Sequence, residues 1–70
     1  MRKLVGDPKV DLRVLAAMRK VGKPVSIDYI AHETGLSWHT ARAVLFKLAA
    51  EGRIKVLETT KSWIFLVEGG

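Results

Sequence analysis

The residues Ser37-Trp38-His39-Thr40-Ala41-Arg42 bring two hydroxyls, an indole, an imidazole and a guanidinium into one short stretch of chain. Donors and acceptors at that density suit hydrogen-bonded recognition of a polar ligand. Catalysis has no comparable support. No serine, histidine and aspartate form a nucleophilic arrangement, no glycine-rich loop cradles a phosphate, and no two carboxylates converge. The imidazoles His32 and His39 stand seven apart, and the chain has no cysteine. Thiolate metal sites, thiol nucleophiles and disulfides are thereby excluded. The expectation is a non-enzyme with no metal, no cofactor and no small-molecule ligand.

These residues need an element to present them, and the punctuation of the chain supplies one. Asp7-Pro8 reads as an N-cap followed by proline at the first helical position. Val10, Val14, Leu15, Met18 and Val21 then recur at helical spacing as far as Gly22 and Pro24, which predicts a first helix over Pro8 to Val21. Val25 reads as a bridging strand residue. Ser26 caps a short second helix with Ile27, Ile30, Ala31 and Thr34 inward, closed by Gly35, and Leu36 follows as a plug to the core. Ser37 caps a third helix that faces the core with Ala41, Val44, Leu45 and Leu48 and stops at Gly52. Beyond Gly52 the period changes from 3.6 to 2. Arg53 to Leu57 and Ser62 to Val67 read as two strands of a hairpin with its tip near Thr60. The division expected is an arm over 1–7, one domain over 8–68 and a glycine tail over 69–70.

At 100° per residue, the face of the third helix opposite its apolar stripe holds His39, Arg42, Ala43 and Phe46, flanked by Trp38, Thr40 and Lys47. A major groove can use that set. Arg42 can fork onto guanine, His39 and Thr40 can donate or accept, and Ala43 allows close approach. Trp38 is read either against sugar or thymine methyl or as packing over the second helix. Phe46 lies too far along to be an obvious base reader, and is read as packing under the hairpin or lying in a subunit contact.

The run Val25-Ser26-Ile27-Asp28-Tyr29-Ile30-Ala31-His32-Glu33-Thr34-Gly35-Leu36-Ser37-Trp38-His39-Thr40-Ala41-Arg42, with Val44-Leu45-Phe46-Lys47-Leu48 and Glu51-Gly52-Arg53-Ile54, resembles the winged helix-turn-helix DNA-binding domain. It is most similar to short prokaryotic, especially archaeal, transcription regulators, over roughly Asp7 to Val67. The fold class this implies is α+β, mainly α, with three helices followed by a β-hairpin wing. The resemblance also implies double-stranded DNA as partner, with Ser37, Trp38, His39, Thr40 and Arg42 at the groove and Thr59, Thr60 and Lys61 on the wing. Ser37 and Lys47 are expected toward the backbone. Arg42, Phe46 and Trp63 sit where readers of Z-form nucleic acid in this class carry their contacts. Those readers use Asn and Tyr on the helix and a proline-bearing wing; here Arg42, Phe46 and a proline-free wing stand in their place.

Twelve Lys and Arg against seven Asp and Glu give a net charge of +5 over 70 residues. The excess is not where the recognition residues are. Residues 1–24 hold seven basic and two acidic groups, whereas residues 25–52 hold two basic and three acidic. Attraction to phosphate is therefore expected from Arg2 and Lys3 as an arm, from the first helix and from the wing. Lys9, Arg13, Arg19, Lys20 and Lys23 read equally as a solvated helix face.

Both faces of the second strand are apolar, Trp63, Phe65 and Val67 on one and Ile64 and Leu66 on the other. One face must pack on the helices. The other is expected to be buried in a homodimer with Phe46, Leu57 and Leu12, with Leu4-Val5 folding across it as the competing arrangement. A neutral-to-acidic helix-turn-helix beside a two-sided apolar hairpin also fits a protein-interaction module within a transcription, replication or division assembly. The longest uncharged apolar run, Trp63 to Val67, is far shorter than a bilayer, and no apolar stretch follows the first charges, so a cytoplasmic chain is expected. Asn and Gln are absent, a thermophile habit.

Overall fold

The computed structural model describes residues 5–60 and 63–67. Its elements are α1 (Pro8–Val21), β1 (Val25–Ser26), α2 (Ile27–Thr34), α3 (Trp38–Ala50), β2 (Ile54–Glu58) and β3 (Trp63–Val67). The described residues form a small α+β structure, mainly helical, with three helices and a three-stranded antiparallel sheet. Arg2, Lys3, Leu4, Lys61, Ser62, Glu68, Gly69 and Gly70 lie outside the described residues.

Each helix starts on the side chain that the sequence offers for it. The Asp7 carboxylate accepts from the Lys9 N–H at 2.9 Å, the Ser26 hydroxyl from the Tyr29 N–H at 3.1 Å, and the Ser37 hydroxyl from the Thr40 N–H at 3.2 Å. These bonds satisfy donors that a helix start leaves without partners. The turn between α2 and α3 depends on Gly35 at φ +74°, whose N–H returns to the Ala31 carbonyl at 3.0 Å. α3 ends in a Schellman motif. Gly52, at φ +78°, donates to the Ala49 carbonyl and Arg53 to the Leu48 carbonyl, both at 3.0 Å.

The sheet has one strand more than the hairpin expected. Val25, read as a bridging residue, pairs with Phe65, and Ser26 with Ile64, so β3 becomes the central strand in the order β1-β3-β2. Pro24 stops α1 from continuing, and the β-branched Val25 extends beside β3 before Ser26 starts α2. β2 and β3 pair from Ile54↔Val67 to Glu58↔Trp63. The described part of the second strand begins at Trp63.

The register decides which sheet face is inside. Ile54, Val56, Trp63, Phe65 and Val67 share the face that packs on the helices, with Ile54 and Phe65 buried. Phe65 has no exposed surface, nor do Val14, Ile30, Val44, Leu45 and Leu48, and Met18 has almost none. Of the predicted stripe on α2, Ala31 is only half-buried, as is Leu36. The opposite sheet face carries Leu57, 41% exposed, with Ile64 and Leu66 half-exposed. Phe46 does not belong with that group. It packs against Trp63 and Phe65 on the inner face, so it does not share one sheet face with Leu57, Ile64 and Leu66 as the expected interface would have it. Among the described residues, no helix is long and apolar enough to cross a membrane.

Asp11 is the unforeseen member of the interior. It is 5% exposed. The spacing explains its burial, because Asp11, Val14, Leu15 and Met18 fall at i, i+3, i+4 and i+7 on one face of α1.

Candidate recognition surface on α3

The first turns of α3 present Trp38, His39 and Arg42 to solvent, while Ala41, Val44, Leu45 and Leu48 hold the other face in the core. Trp38 is 43% exposed, and its ring meets His39 edge to face at 5.3 Å. Ser37 caps the helix, and its hydroxyl also lies 3.0 Å from that of the half-buried Thr40. Ala43 is half-buried and adds no bulk beside Arg42.

Arg42 is held from behind. Its guanidinium carbon lies 4.9 Å from the centre of the Phe46 ring, one helical turn along. Phe46 in turn meets Trp63 at 5.3 Å and Phe65 at 5.2 Å, both nearly perpendicular. A cation over an aromatic face contributes about 0.5–1 kcal/mol at an exposed site. Each edge-to-face pair adds about 0.5–1.5 kcal/mol beyond its buried area. The stack therefore links an exposed guanidinium on α3 to the central strand of the sheet.

Lys47 points elsewhere than expected. Rather than reaching outward toward a backbone, its ammonium donates to Asp11 Oδ2 at 2.8 Å and to Glu51 Oε2 at 3.3 Å. The buried carboxylate of Asp11 needs a cation, and Lys47 is the cation within hydrogen-bond reach. Arg53 adds longer contacts, 3.9 Å to Asp11 and 3.8 Å to Glu51. The bond to Asp11 holds the Lys47 ammonium above the ordinary lysine pKa, against a smaller opposing effect of burial; Glu51 adds to the rise.

Thr59 and Thr60 are exposed between β2 and β3, and Lys61 lies outside the described residues with Arg2 and Lys3. His32 on α2 and His39 on α3 are both exposed, and no group of three metal-ligating side chains gathers among the described residues. Two interactions of α1 are not foreshadowed by its sequence. The Arg13 guanidinium donates to the Thr34 carbonyl at the end of α2, and Lys20 lies 3.7 Å from Glu33. A cation at a helix C-terminus is electrostatically favourable. Nothing in the local pattern of α1 indicates a partner 21 positions away. No family model matches the chain, and comparison with curated proteins and with solved structures gives no match either.

Proposed function

We propose that the chain is a winged helix-turn-helix domain that binds double-stranded DNA as a small transcriptional regulator, with α3 in the major groove and the β2–β3 hairpin as the wing. The observation that carries this reading is the two-sided character of α3. One side is locked in the core, and the other offers Trp38, His39 and Arg42 immediately after the Gly35 turn. Arg42 is the residue assigned to guanine, because its fork can take O6 and N7 together. Trp38, His39 and Thr40 lie beside base edges, Ser37 is near the flanking phosphate, and Thr60 lies with the wing. The inward bond of Lys47 removes it from this set.

Binding to a mixed-sequence duplex, titrated with salt, tests the reading. Binding at low salt that weakens linearly in log affinity against log salt supports it. No binding at low salt overturns it. Selection of bound sites from random duplex then identifies the operator.

The outer sheet face supports a second reading, a protein-contact module. Leu57 and Ile64 are opposite one another in the register, and Leu66 lies two residues beyond Ile64 on the same face. Self-association through it would give a dimer reading two half-sites about one helical turn apart. Sedimentation at high micromolar concentration tests the homodimer, which a monomer there removes, while absence of duplex binding at low salt favours the protein-contact module.

A further inference from the structure

Lys9, Arg13, Ala16 and Lys20 stand at i, i+4, i+7 and i+11 along α1 and are all exposed. That spacing places them on one face, with the three cations spread over roughly 17 Å of helix. Two interactions join the edge of this face to α2, Arg13 to the Thr34 carbonyl and Lys20 to Glu33. Thr34 precedes Trp38 by four residues, which cannot span more than about 14 Å even when extended. The Thr34 carbonyl that holds the Arg13 guanidinium is therefore within about 14 Å of the start of α3, comparable to the roughly 12 Å width of a major groove.

The charge of the remaining surface makes this proximity consequential. Residues 25–52 hold more acidic than basic groups. Of the two cations on α3, Lys47 is committed to Asp11 and Arg42 lies over Phe46. We propose that the Lys9–Arg13–Lys20 face of α1 is a phosphate-binding ridge, holding the sugar-phosphate backbone that flanks the groove entered by α3. This rests on the duplex-binding reading and adds where its electrostatic attraction comes from. Arg13 is the centre of the ridge. One of its five N–H donors goes to Thr34, which fixes the direction of the fork and leaves the others for a phosphate. Ala16 keeps the middle of the face low, so a strand can lie along it. Lys20 contributes least, because Glu33 partly neutralises it.

The experiment is fluorescence anisotropy of a labelled mixed-sequence duplex over a series of salt concentrations. It compares the whole chain with Lys9→Gln, Lys9→Gln/Lys20→Gln, Arg13→Gln and Arg19→Gln, each checked for its melting temperature. Arg19 lies on α1 away from the ridge and controls for net charge. Removing one phosphate-binding cation from the ridge should lower the slope of log affinity against log salt by about 0.9. It should weaken all sequences alike, whereas Arg19→Gln leaves the slope in place. Unchanged slopes in the ridge variants, or an equal reduction in Arg19→Gln, overturn the ridge and leave the assignment of α3 standing. A parent chain that binds no duplex at low salt overturns both. Lys9→Gln leaves both links to α2 intact, so the test does not depend on Arg13→Gln folding.

Discussion

Lys47 Nζ lies 2.8 Å from Asp11 Oδ2, joining α3 to α1 across 36 positions of sequence. The pair is asymmetric. The Asp11 side chain is 8% exposed and that of Lys47 24%, so the carboxylate depends on its partner more than the ammonium does. The Oδ1 atom of Asp11 is buried and accepts no hydrogen bond among the described residues, which sharpens that dependence.

Lys47→Met should therefore destabilise the fold more than Asp11→Asn. Removing the lysine leaves a buried carboxylate with only Arg53 at 3.9 Å, a loss of about 2–4 kcal/mol. Asp11→Asn leaves an ammonium that still has Glu51 and some water, and should cost about 1–2 kcal/mol. Asp11→Leu/Lys47→Met should recover much of the loss, since it removes both charges together. Urea denaturation of the four chains measures this order, and equal losses in the two single variants would contradict it.

The same pair predicts behaviour at alkaline pH. The folded pKa of Lys47 is raised by Asp11, so the folded state binds its proton more tightly than the unfolded state does. Its contribution is fully present below the ordinary lysine pKa of about 10.4 and is lost as pH rises through the higher folded value. The stability difference between the parent and Lys47→Met should narrow above about pH 10.4. A difference that stays constant to strongly alkaline pH would count against the pairing.

Phe46 should matter for both stability and recognition. Phe46→Leu keeps an apolar side chain but removes two edge-to-face ring pairs and the support under Arg42. A cost of about 1–3 kcal/mol is expected by thermal melting. Discrimination among duplex sequences should fall further than the affinity for mixed sequence. Phe65→Ala, at a position with no exposure, should cost about 3–5 kcal/mol and leave much of the chain unfolded.

Arg42→Lys separates charge from shape. The lysine keeps the positive charge but lacks the planar fork. The variant should retain the salt slope and lose about 1–3 kcal/mol of preference at one base position. Selection from random duplex with both proteins reads this directly. An unchanged consensus would remove Arg42 from base recognition.

Gly35→Ala tests the turn before α3. A Cβ there would touch nothing within 4 Å, so the cost comes from φ +74° alone. A non-glycine residue in that region loses about 1–2 kcal/mol, and asparagine less. Melting temperatures should fall in the order glycine, asparagine, alanine. A loss equal to that from filling a crowded site would show a neighbour that the structure lacks.

The elements were legible wherever their determinants are local. Asp7-Pro8, Ser26 and Ser37 start helices with bonds to N–H groups two or three residues away, and Gly35 ends α2 through its own left-handed backbone. The solvent face of α3 follows in the same way from the stripe Ala41, Val44, Leu45 and Leu48. What was not legible depends on distant residues. β1 exists only because β3 lies beside it, and the direction of the Lys47 ammonium depends on Asp11. The alternation of Trp63 to Val67 could not choose a face, because both are apolar. Phe46 and the core around Phe65 make that choice.

The central position of β3 has a consequence for how the protein is made. A chain emerging from the ribosome delivers α1, α2 and α3 first, with their apolar stripes facing a core that still lacks Phe65. β1 has to wait as well, since its pairing is with β3. Synthesis at about 5–20 residues per second makes that interval short, but during it the three helices are exposed to chaperones and to one another. Closure is set by the arrival of β3, so a stop or frameshift just before Trp63 should yield a chain cleared by proteolysis rather than a smaller working helical fragment.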